Sequence, residues 1–151
     1  MSINAVGSTV ITQIGLVVTD IEKSIDSYCT VFGMAHPIII VTDEFDFSKT
    51  QYRGNPSKAR AKLAFFNMGQ VQIELIQPDG LPSTWQEALD QSGESVHHIA
   101  FQIKDTPSVV HNLAEQGISV VQQGYYKGGM YTYVDSASQL GVVLELLENF
   151  D

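Results

Sequence analysis

The chain has 151 residues, 44% of them hydrophobic and 17% charged, and its formal net charge is -9 at pH 7. This composition predicts a globular protein with one sizeable core. The negative charge argues against nucleic acid as a partner, because phosphate binding needs clustered Lys and Arg. The one cysteine, Cys29, excludes an intramolecular disulfide, and the first residues lack the features of a signal peptide. Since no apolar run approaches about 18 residues, we expect a soluble cytoplasmic protein with no membrane partner.

The first half of the chain predicts the order strand, helix, strand, strand, strand. Apolar residues run continuously in its strands and recur every three or four residues in its helix, which is typical of buried strands and of a helix with one apolar face. Asp20 is suited to cap the start of the helix and Gly33 to end it. The predicted bounds are 10–18 for the first strand, 21–32 for the helix, 36–42, 60–67 and 70–77 for the later strands, and 43–58 for a polar loop.

A connector over 79–95 is followed by a second half with the same order of elements. Ser83 is suited to cap a short helix in the connector, and Gln86 three residues later completes a capping box. Trp85 of that helix is expected to pack against the rest of the protein. The predicted bounds in the second half are 96–103 for the first strand, 106–116 for a helix capped by Asp105 and ended by Gly117, and 118–123, 130–135 and 141–147 for the later strands.

The two halves also align residue by residue. Residues 13–20 match 98–105, and residues 71–77 match 142–148, with the apolar positions in step. Two copies are too few for a solenoid, so the repeat predicts a pseudo-two-fold structure with its site between the copies. We therefore predict an α+β fold in which two tandem βαβββ modules form a cupped mixed sheet around a metal site. The predicted parts are a flexible N-terminus (1–9), module 1 (10–78), the connector (79–95) and module 2 (96–149), together one domain over 10–149.

Four side chains that can bind a metal occupy matching positions of this repeat. Gln13 and His98 open the first strands of the two copies, and Glu74 and Glu145 lie in the middle of strands near the end of each copy. A lone Glu in a strand usually faces solvent, but burying two matched carboxylates is costly unless they are paired, protonated or coordinated. One imidazole, one amide oxygen and two carboxylates suit Zn, Ni, Co, Mn or Fe(II), and the lack of thiolates argues against a structural zinc site.

Other polar residues are interpreted as lying outside the metal site. His97 is expected to face away from His98, because side chains alternate along a strand. Three cations of the polar loop are interpreted as solvated charges, with contact to a substrate phosphate or carboxylate as the alternative: Lys49, Arg53 and Lys58.

Paired βαβββ modules with Gln or His opening one strand and Glu in a closing strand resemble the vicinal oxygen chelate superfamily, over about residues 10–149. That superfamily includes glyoxalases, methylmalonyl-CoA epimerases, extradiol dioxygenases and antibiotic-resistance binding proteins. The resemblance implies one divalent ion with two ligands from each module, here Gln13, Glu74, His98 and Glu145. The sequence of residues 73–75, 82–83 and 97–101 is similar to the corresponding sequence of epimerases. The Gln/Glu/His/Glu ligand set, by contrast, resembles that of one form of the glyoxalases.

The resemblance implies metal-dependent proton transfer α to a carbonyl, on a small acyl thioester or hemithioacetal, in a homodimer. In such enzymes the metal chelates two substrate oxygens while a carboxylate moves the proton. Glu145 is predicted to be the base and Glu74 the second proton carrier, and Tyr133 is predicted either to line the pocket or to pack in a strand face. An activity like that of methylmalonyl-CoA epimerase is the first hypothesis. A glyoxalase-type lyase and a non-catalytic small-molecule binding protein are the alternatives.

Two features depart from the epimerase pattern. Some epimerases carry a further carboxylate on the strand matching residues 60–65, where this chain has no acid. Residues 134–141 also lack the His-Pro-Lys motif common in epimerases and the Asp-Pro-x-Gly motif common in glyoxalases. A ring-cleaving dioxygenase is disfavoured, because it would need two histidines and one carboxylate on iron and only one histidine is in place.

Overall fold

The computed structural model describes residues 4–151, and its elements follow the predicted succession, with additions in the polar loop and a short helix before the last strand. The first half contains β1 (Gln13–Val17), α1 (Ile21–Phe32), β2 (Ile40–Val41), α2 (Phe45–Ser48), β3 (Gln51–Tyr52), β4 (Asn55–Pro56), β5 (Ala61–Asn67) and β6 (Gln72–Pro78). The connector contains α3 (Thr84–Ser92). The second half contains β7 (Ser95–Gln102), α4 (Thr106–Ala114), β8 (Val120–Tyr126), β9 (Gly129–Val134), α5 (Ala137–Leu140) and β10 (Val143–Asn149).

The three longer helices begin at the predicted capping residues. The side chains of Asp20, Ser83 and Asp105 each accept a hydrogen bond from a backbone N–H in the first turn of the helix that follows, which satisfies a donor with no partner in the helix. Gly33 ends α1 with a φ of 63°, a left-handed conformation that a side chain disfavours. The last of the three, α4, ends at Ala114 rather than at the predicted residue 116.

The ten strands described in residues 4–151 form one curled mixed sheet, in the order β2-β5-β6-β1-β7-β10-β9-β8-β3-β4. The first copy contributes β2-β5-β6-β1 and the second contributes β7-β10-β9-β8, so the two copies meet where β1 and β7 pair antiparallel. Within each copy the first and last strands pair parallel, β1 with β6 and β7 with β10. This order confirms the predicted α+β fold of two βαβββ units related by a pseudo-two-fold axis between β1 and β7. The exact module bounds, 10–78, 79–95 and 96–149, stay predictions.

The polar loop contains more structure than predicted. β3 and β4 form a hairpin, and β3 pairs with β8 of the second copy, whereas β2 lies at the outer edge of the first copy. Residues 42–50 therefore connect the two outer sides of the curled sheet and close it into a cup. The strand predicted over 36–42 is reduced to Ile40–Val41, preceded by Pro37, which has no N–H to donate to a strand pair.

Apolar side chains of the described residues form three clusters, two of which pack under α1 and α4. One lies between α1 and the first copy, and consists of Val18, Ile21, Ile25, Ala64, Phe66 and Leu75. A second lies between α4 and the second copy, and consists of Phe101, Ile103, Val109, Leu113, Ile118, Val134, Leu144 and Leu146. The third joins Trp85 of α3, as predicted, to residues of both copies, namely Val17, Ala61, Ile76, Val121 and Tyr133.

Of the predicted flexible segment 1–9, residues 1–3 lie outside the described residues, and Ala5 and Val6 pack against the cluster under α4. None of the helices in residues 4–151 combines the length and the apolar content needed to cross a membrane.

Candidate metal centre

One row of paired residues across the sheet brings Glu74 to His98. Gly15 on β1 lies opposite Glu74 on β6 and also opposite His98 on β7. Because Gly15 has no side chain, the two longer side chains meet above it. A Cβ built on Gly15 would lie 2.1 Å from Cε1 of the His98 ring. The imidazole therefore lies directly on the glycine backbone.

The neighbouring row of paired residues brings Gln13 and Glu145 to either side of Ala100. Ala100 on β7 lies opposite Gln13 on β1 and opposite Glu145 on β10. Gln13 and Gly15 are two positions apart on one strand, so both rows face the same side of the sheet. Each copy thus provides one candidate ligand from its first strand and one from its last. The structure brings all four predicted residues to the same part of the concave face.

Three of the four candidates bring their donor atoms together. Nε2 of His98 lies 3.3 Å from Oε1 of Glu74 and 3.1 Å from Oε1 of Glu145. The His98 side chain is fully buried, and Glu74 and Glu145 are 7% and 4% exposed. Despite these short separations, none of the three atoms has a hydrogen bond of acceptable geometry to any group in residues 4–151.

A divalent cation would satisfy all three atoms at once. Leaving a buried polar atom without a partner costs roughly 1–3 kcal/mol, and more for a charged group. One donor atom from each of Glu74, His98 and Glu145 lies within 4.8 Å of the others. An imidazole nitrogen and two carboxylate oxygens are ligands that Zn, Ni, Co and Mn accept. The buried cluster therefore fits a divalent metal ion.

Burial and mutual charge shift the protonation of the cluster. Burial raises the pKa of the Glu74 carboxyl above its usual value, and this outweighs the opposing effect of His98. Burial alone would lower the pKa of His98, but the charges of Glu145 and Glu74 outweigh it and raise the pKa to about 10. A proton on His98 and a divalent cation are thus competing ways to balance two buried carboxylates.

Gln13 lies at the edge of this cluster. It is half-buried, and its Nε2 donates a hydrogen bond of 2.7 Å to Oε1 of Gln72, the residue opposite it on β6. With the amide nitrogen held in this way, the amide oxygen is the atom left for a ligand. The role of Gln13 as a fourth ligand stays a prediction.

The prediction that His97 faces away from His98 is wrong. The pairing of β1 with β7 shifts by one residue between Gly15 and Leu16, and this β-bulge leaves His97 without a partner in register. Side chains do not alternate regularly through a bulge, and His97 instead turns toward His98. Their Nδ1 atoms lie 2.8 Å apart, and Nε2 of His97 lies 3.1 Å from Oγ1 of Thr84. His97 is buried behind His98 and is not one of the three converging donors.

Glu74 and Glu145 also line a cavity of about 590 Å³. Tyr133 also lines this cavity, and its hydroxyl accepts a 3.0 Å hydrogen bond from Nε1 of Trp85. It is almost fully buried and packs against the ring of Tyr131. Tyr133 therefore both lines the pocket and packs in a strand face, the two alternatives predicted for it. Residues 42–50 contribute Thr42, Asp43, Ser48 and Thr50 to the wall. The apolar and aromatic part of the wall includes Ile40, Val41, Leu63, Phe65, Tyr125, Tyr131 and Leu147.

The cations of the polar loop lie outside this cavity. Nη2 of Arg53 lies 2.6 Å from Oε1 of Glu87, and Lys49 lies over the ring of Phe45. Among the described residues that line the cavity, Lys127 is the one Lys or Arg. Lys127 was missed because it lies in the turn between β8 and β9, where a lone lysine carries no sequence pattern.

The sequence of this chain matches a known protein family. The profile of the Glyoxalase/Bleomycin resistance protein/Dioxygenase superfamily matches residues 12–134. A protein of Bacillus subtilis (strain 168), the uncharacterized protein YqjC, is 25% identical over 140 residues, covering 90% of this chain and 89% of that protein.

Solved structures share the fold at low sequence identity. The methylmalonyl-CoA epimerase from Mycobacterium tuberculosis has a TM-score of 0.65 at 21% identity, covering 100% of this chain and 94% of that one. A hypothetical protein, BH1468 from Bacillus halodurans C-125, has a TM-score of 0.65 at 21% identity, covering 93% and 94%. A variant of the Streptomyces coelicolor methylmalonyl-CoA epimerase in complex with 2-nitronate-propionyl-CoA has a TM-score of 0.63 at 21% identity, covering 93% and 97%. Together with the profile match over residues 12–134, the two paired βαβββ units show that this chain belongs to the glyoxalase/bleomycin resistance protein/dioxygenase superfamily, the vicinal oxygen chelate superfamily.

Proposed function

We propose that this protein is a divalent-metal-dependent enzyme that transfers a proton α to a carbonyl, with the activity of an epimerase like the methylmalonyl-CoA epimerases. The observation that carries this proposal is the buried cluster of Glu74, His98 and Glu145, whose three converging atoms lack hydrogen bonds within residues 4–151. A protein that only bound a small molecule would have no need to bury two carboxylates beside a histidine.

Gln13, Glu74, His98 and Glu145 are the proposed ligands of one Zn, Ni, Co or Mn ion. When bound, such an ion would supply Lewis-acid stabilisation of the negative charge that develops on the substrate carbonyl oxygen as the α proton leaves. Both proposed ligands from each copy lie on strands next to the pseudo-two-fold axis, so one chain would provide the complete set. The homodimer implied by the resemblance stays a proposal.

The positions of the two carboxylates support a role in removing and returning a proton. β6 and β10 flank the central β1–β7 pair, so Glu74 and Glu145 reach the site from opposite sides of His98. This arrangement suits an epimerase that uses two proton carriers, because a proton leaves one face of a carbon and returns to the other. We propose Glu145 as the base that accepts the proton and Glu74 as the second proton carrier.

The cavity supports a small acyl group as the part of the substrate that enters. Its aromatic and apolar wall would contact the acyl chain, and its volume of about 590 Å³ is in the range of small-molecule sites. Methylmalonyl-CoA is bound by one of the epimerases that share this fold. If the substrate is a CoA thioester, its phosphates would lie outside the cavity, since the wall in residues 4–151 offers Lys127 alone as a cation. A hemithioacetal, the glyoxalase substrate class, is the second candidate, favoured by the Gln/Glu/His/Glu donor set.

Exchange of the α hydrogen with solvent tests the proposed reaction. The protein, loaded in turn with Zn, Ni, Co and Mn, is incubated in heavy water with methylmalonyl-CoA or with the methylglyoxal–glutathione adduct. We expect deuterium to enter the α position of one of them, at a rate that falls when the metal is removed. Absence of exchange with every thioester and hemithioacetal tested, together with tight binding of an unrelated small molecule, would favour the non-catalytic binding protein instead.

His98→Ala is expected to remove most of the bound metal. The substitution deletes one of three converging donors, and ligand binding stabilises the folded state by an amount that depends on affinity, about 2.7 kcal/mol at a metal concentration 100 times Kd. Metal content after dialysis and the metal-induced rise in Tm are measured for His98→Ala and for His111→Ala, an exposed histidine paired with Glu115. Equal metal content in the two variants would contradict the assignment of His98.

A further inference from the structure

We propose that His97 is a positioning residue that sets the tautomer and ring orientation of His98 through a direct ring-to-ring hydrogen bond, with Thr84 holding His97 in turn. This inference rests on the proposed metal site. Its starting point is the chain of contacts behind the site: Nδ1 of His98 lies 2.8 Å from Nδ1 of His97, and Nε2 of His97 lies 3.1 Å from Oγ1 of Thr84.

The chemistry of neutral imidazole allows one assignment of protons along this chain. Each ring carries one N–H and one lone pair. His98 can bind a metal through Nε2 only if its proton is on Nδ1, and that N–H then donates to Nδ1 of His97. The proton of His97 is therefore on Nε2, where it donates to the hydroxyl oxygen of Thr84. Metal-binding histidines generally use their second nitrogen in this way, and the partner holds the ring in place.

The far end of the chain is anchored in the body of the protein. Thr84 is the first residue of α3, and its backbone N–H donates a 2.7 Å hydrogen bond to Oε1 of Gln122 on β8. Thr84 is 7% exposed and Gln122 is fully buried. The ring of His97 also meets the ring of Tyr133 edge-to-face, with centroids 4.8 Å apart. These contacts leave His97 little freedom to turn away from His98.

The first copy shows why only His98 needs such a partner. In the repeat alignment Thr12 occupies the position of His97, and its hydroxyl donates to the backbone oxygen of Ala100 rather than to Gln13. The amide of Gln13 is instead held by Gln72. An amide needs one neighbour to fix its orientation, whereas a buried imidazole must also have its proton placed on one of two nitrogens.

Three variants separate the hydrogen bond from the bulk of the side chain. His97→Leu keeps a side chain of comparable bulk but removes the acceptor for His98. His97→Asn places an oxygen near the position of Nδ1 and restores an acceptor. Thr84→Val keeps the shape of Thr84 but removes the oxygen that holds His97. We expect His97→Leu to raise the Kd for Zn²⁺ by about 10- to 100-fold, His97→Asn to recover most of that loss, and Thr84→Val to lie between.

The affinities are measured by competition with a chelator, and Co²⁺ absorption reports the geometry of the site. NMR of the Zn²⁺-loaded protein with ¹⁵N-labelled histidine reports the tautomer directly. We expect a protonated Nδ1 on His98 in the wild type, with a proton signal that is lost in His97→Leu. If His97→Leu does not fold, the same comparison is made with Thr84→Val, whose expected loss of affinity then carries the test.

The outcomes distinguish this inference from the proposed function. A wild-type protein that binds none of the four metals would overturn both. Tight metal binding by the wild type that is unchanged in His97→Leu and in Thr84→Val, or a deprotonated Nδ1 on His98 in the Zn²⁺ form, would overturn the positioning role alone.

Discussion

Glu145→Gln is expected to lower the rate of α-proton exchange by about 100- to 10,000-fold, the range over which a positioned general base contributes. The amide keeps an oxygen that can still face the metal position, but it cannot accept a proton. Glu145 is 4% exposed and lies opposite Tyr133 on β9, so the similar shape of Gln preserves the packing. The measurement is the initial rate of deuterium incorporation by the metal-saturated variant, with metal content determined on the same sample.

The matched control for this variant is Glu115→Gln, which makes the same chemical change at an exposed position after α4. We expect its exchange rate to equal that of the wild type. A Glu145→Gln protein that binds metal, keeps its thermal transition and exchanges at more than about a tenth of the wild-type rate would contradict the role of Glu145 as base.

Gly15→Ala is expected to lower both the stability of the fold and the affinity for metal, although it adds a single methyl group. The added Cβ would lie 2.1 Å from Cε1 and 2.6 Å from Nδ1 of the His98 ring, far inside van der Waals contact. The strand that carries Gly15 is paired with β6 on one side and β7 on the other, so the backbone at Gly15 cannot move away from the ring. Overpacking of a buried site costs typically about 1–3 kcal/mol. We expect a loss of that size in the free energy of unfolding, and at least about a tenfold rise in the Kd for metal, because the ring must leave its place.

A double-mutant cycle identifies the clash as the cause. In the His98→Ala background the ring is absent, so Gly15→Ala should have little effect on the free energy of unfolding measured by denaturant titration without metal. The coupling energy should then be of similar size to the cost of Gly15→Ala alone, as is usual for residues in direct contact. Additive effects of the two substitutions would show that Gly15 has another role.

The repeat made much of this fold predictable. Matching Gln13 to His98 and Glu74 to Glu145 predicted which side chains share a face, because strand alternation and the pseudo-two-fold relation depend on spacing alone. The strand pairings agree with that alignment: Gln13 lies opposite Ala100 and His98 lies opposite Gly15, two pairs that the pseudo-two-fold axis exchanges.

Other features depend on contacts between distant parts of the chain and had no local pattern. The bulge that turns His97 toward His98 exists only in the pairing of β7 with β1, so alternation along β7 alone gave the wrong direction. The need for a glycine at position 15 becomes visible once the ring of His98 is known to lie on it. The hairpin of β3 and β4 likewise forms in a polar loop because β8, far along the chain, offers an edge.

Anomalous diffraction from crystals grown with Zn²⁺ or Co²⁺, collected at the absorption edge of the metal, tests most directly whether the two copies build one metal centre. We predict a single strong peak bounded by Gln13 Oε1, His98 Nε2 and the carboxylates of Glu74 and Glu145, with metal–ligand distances of about 2.0–2.4 Å. A peak that excludes Gln13 but keeps the other three ligands would correct the ligand set. At saturating metal, the absence of a peak from the concave face, with His98 still in direct contact with both carboxylates, would contradict the metal centre itself.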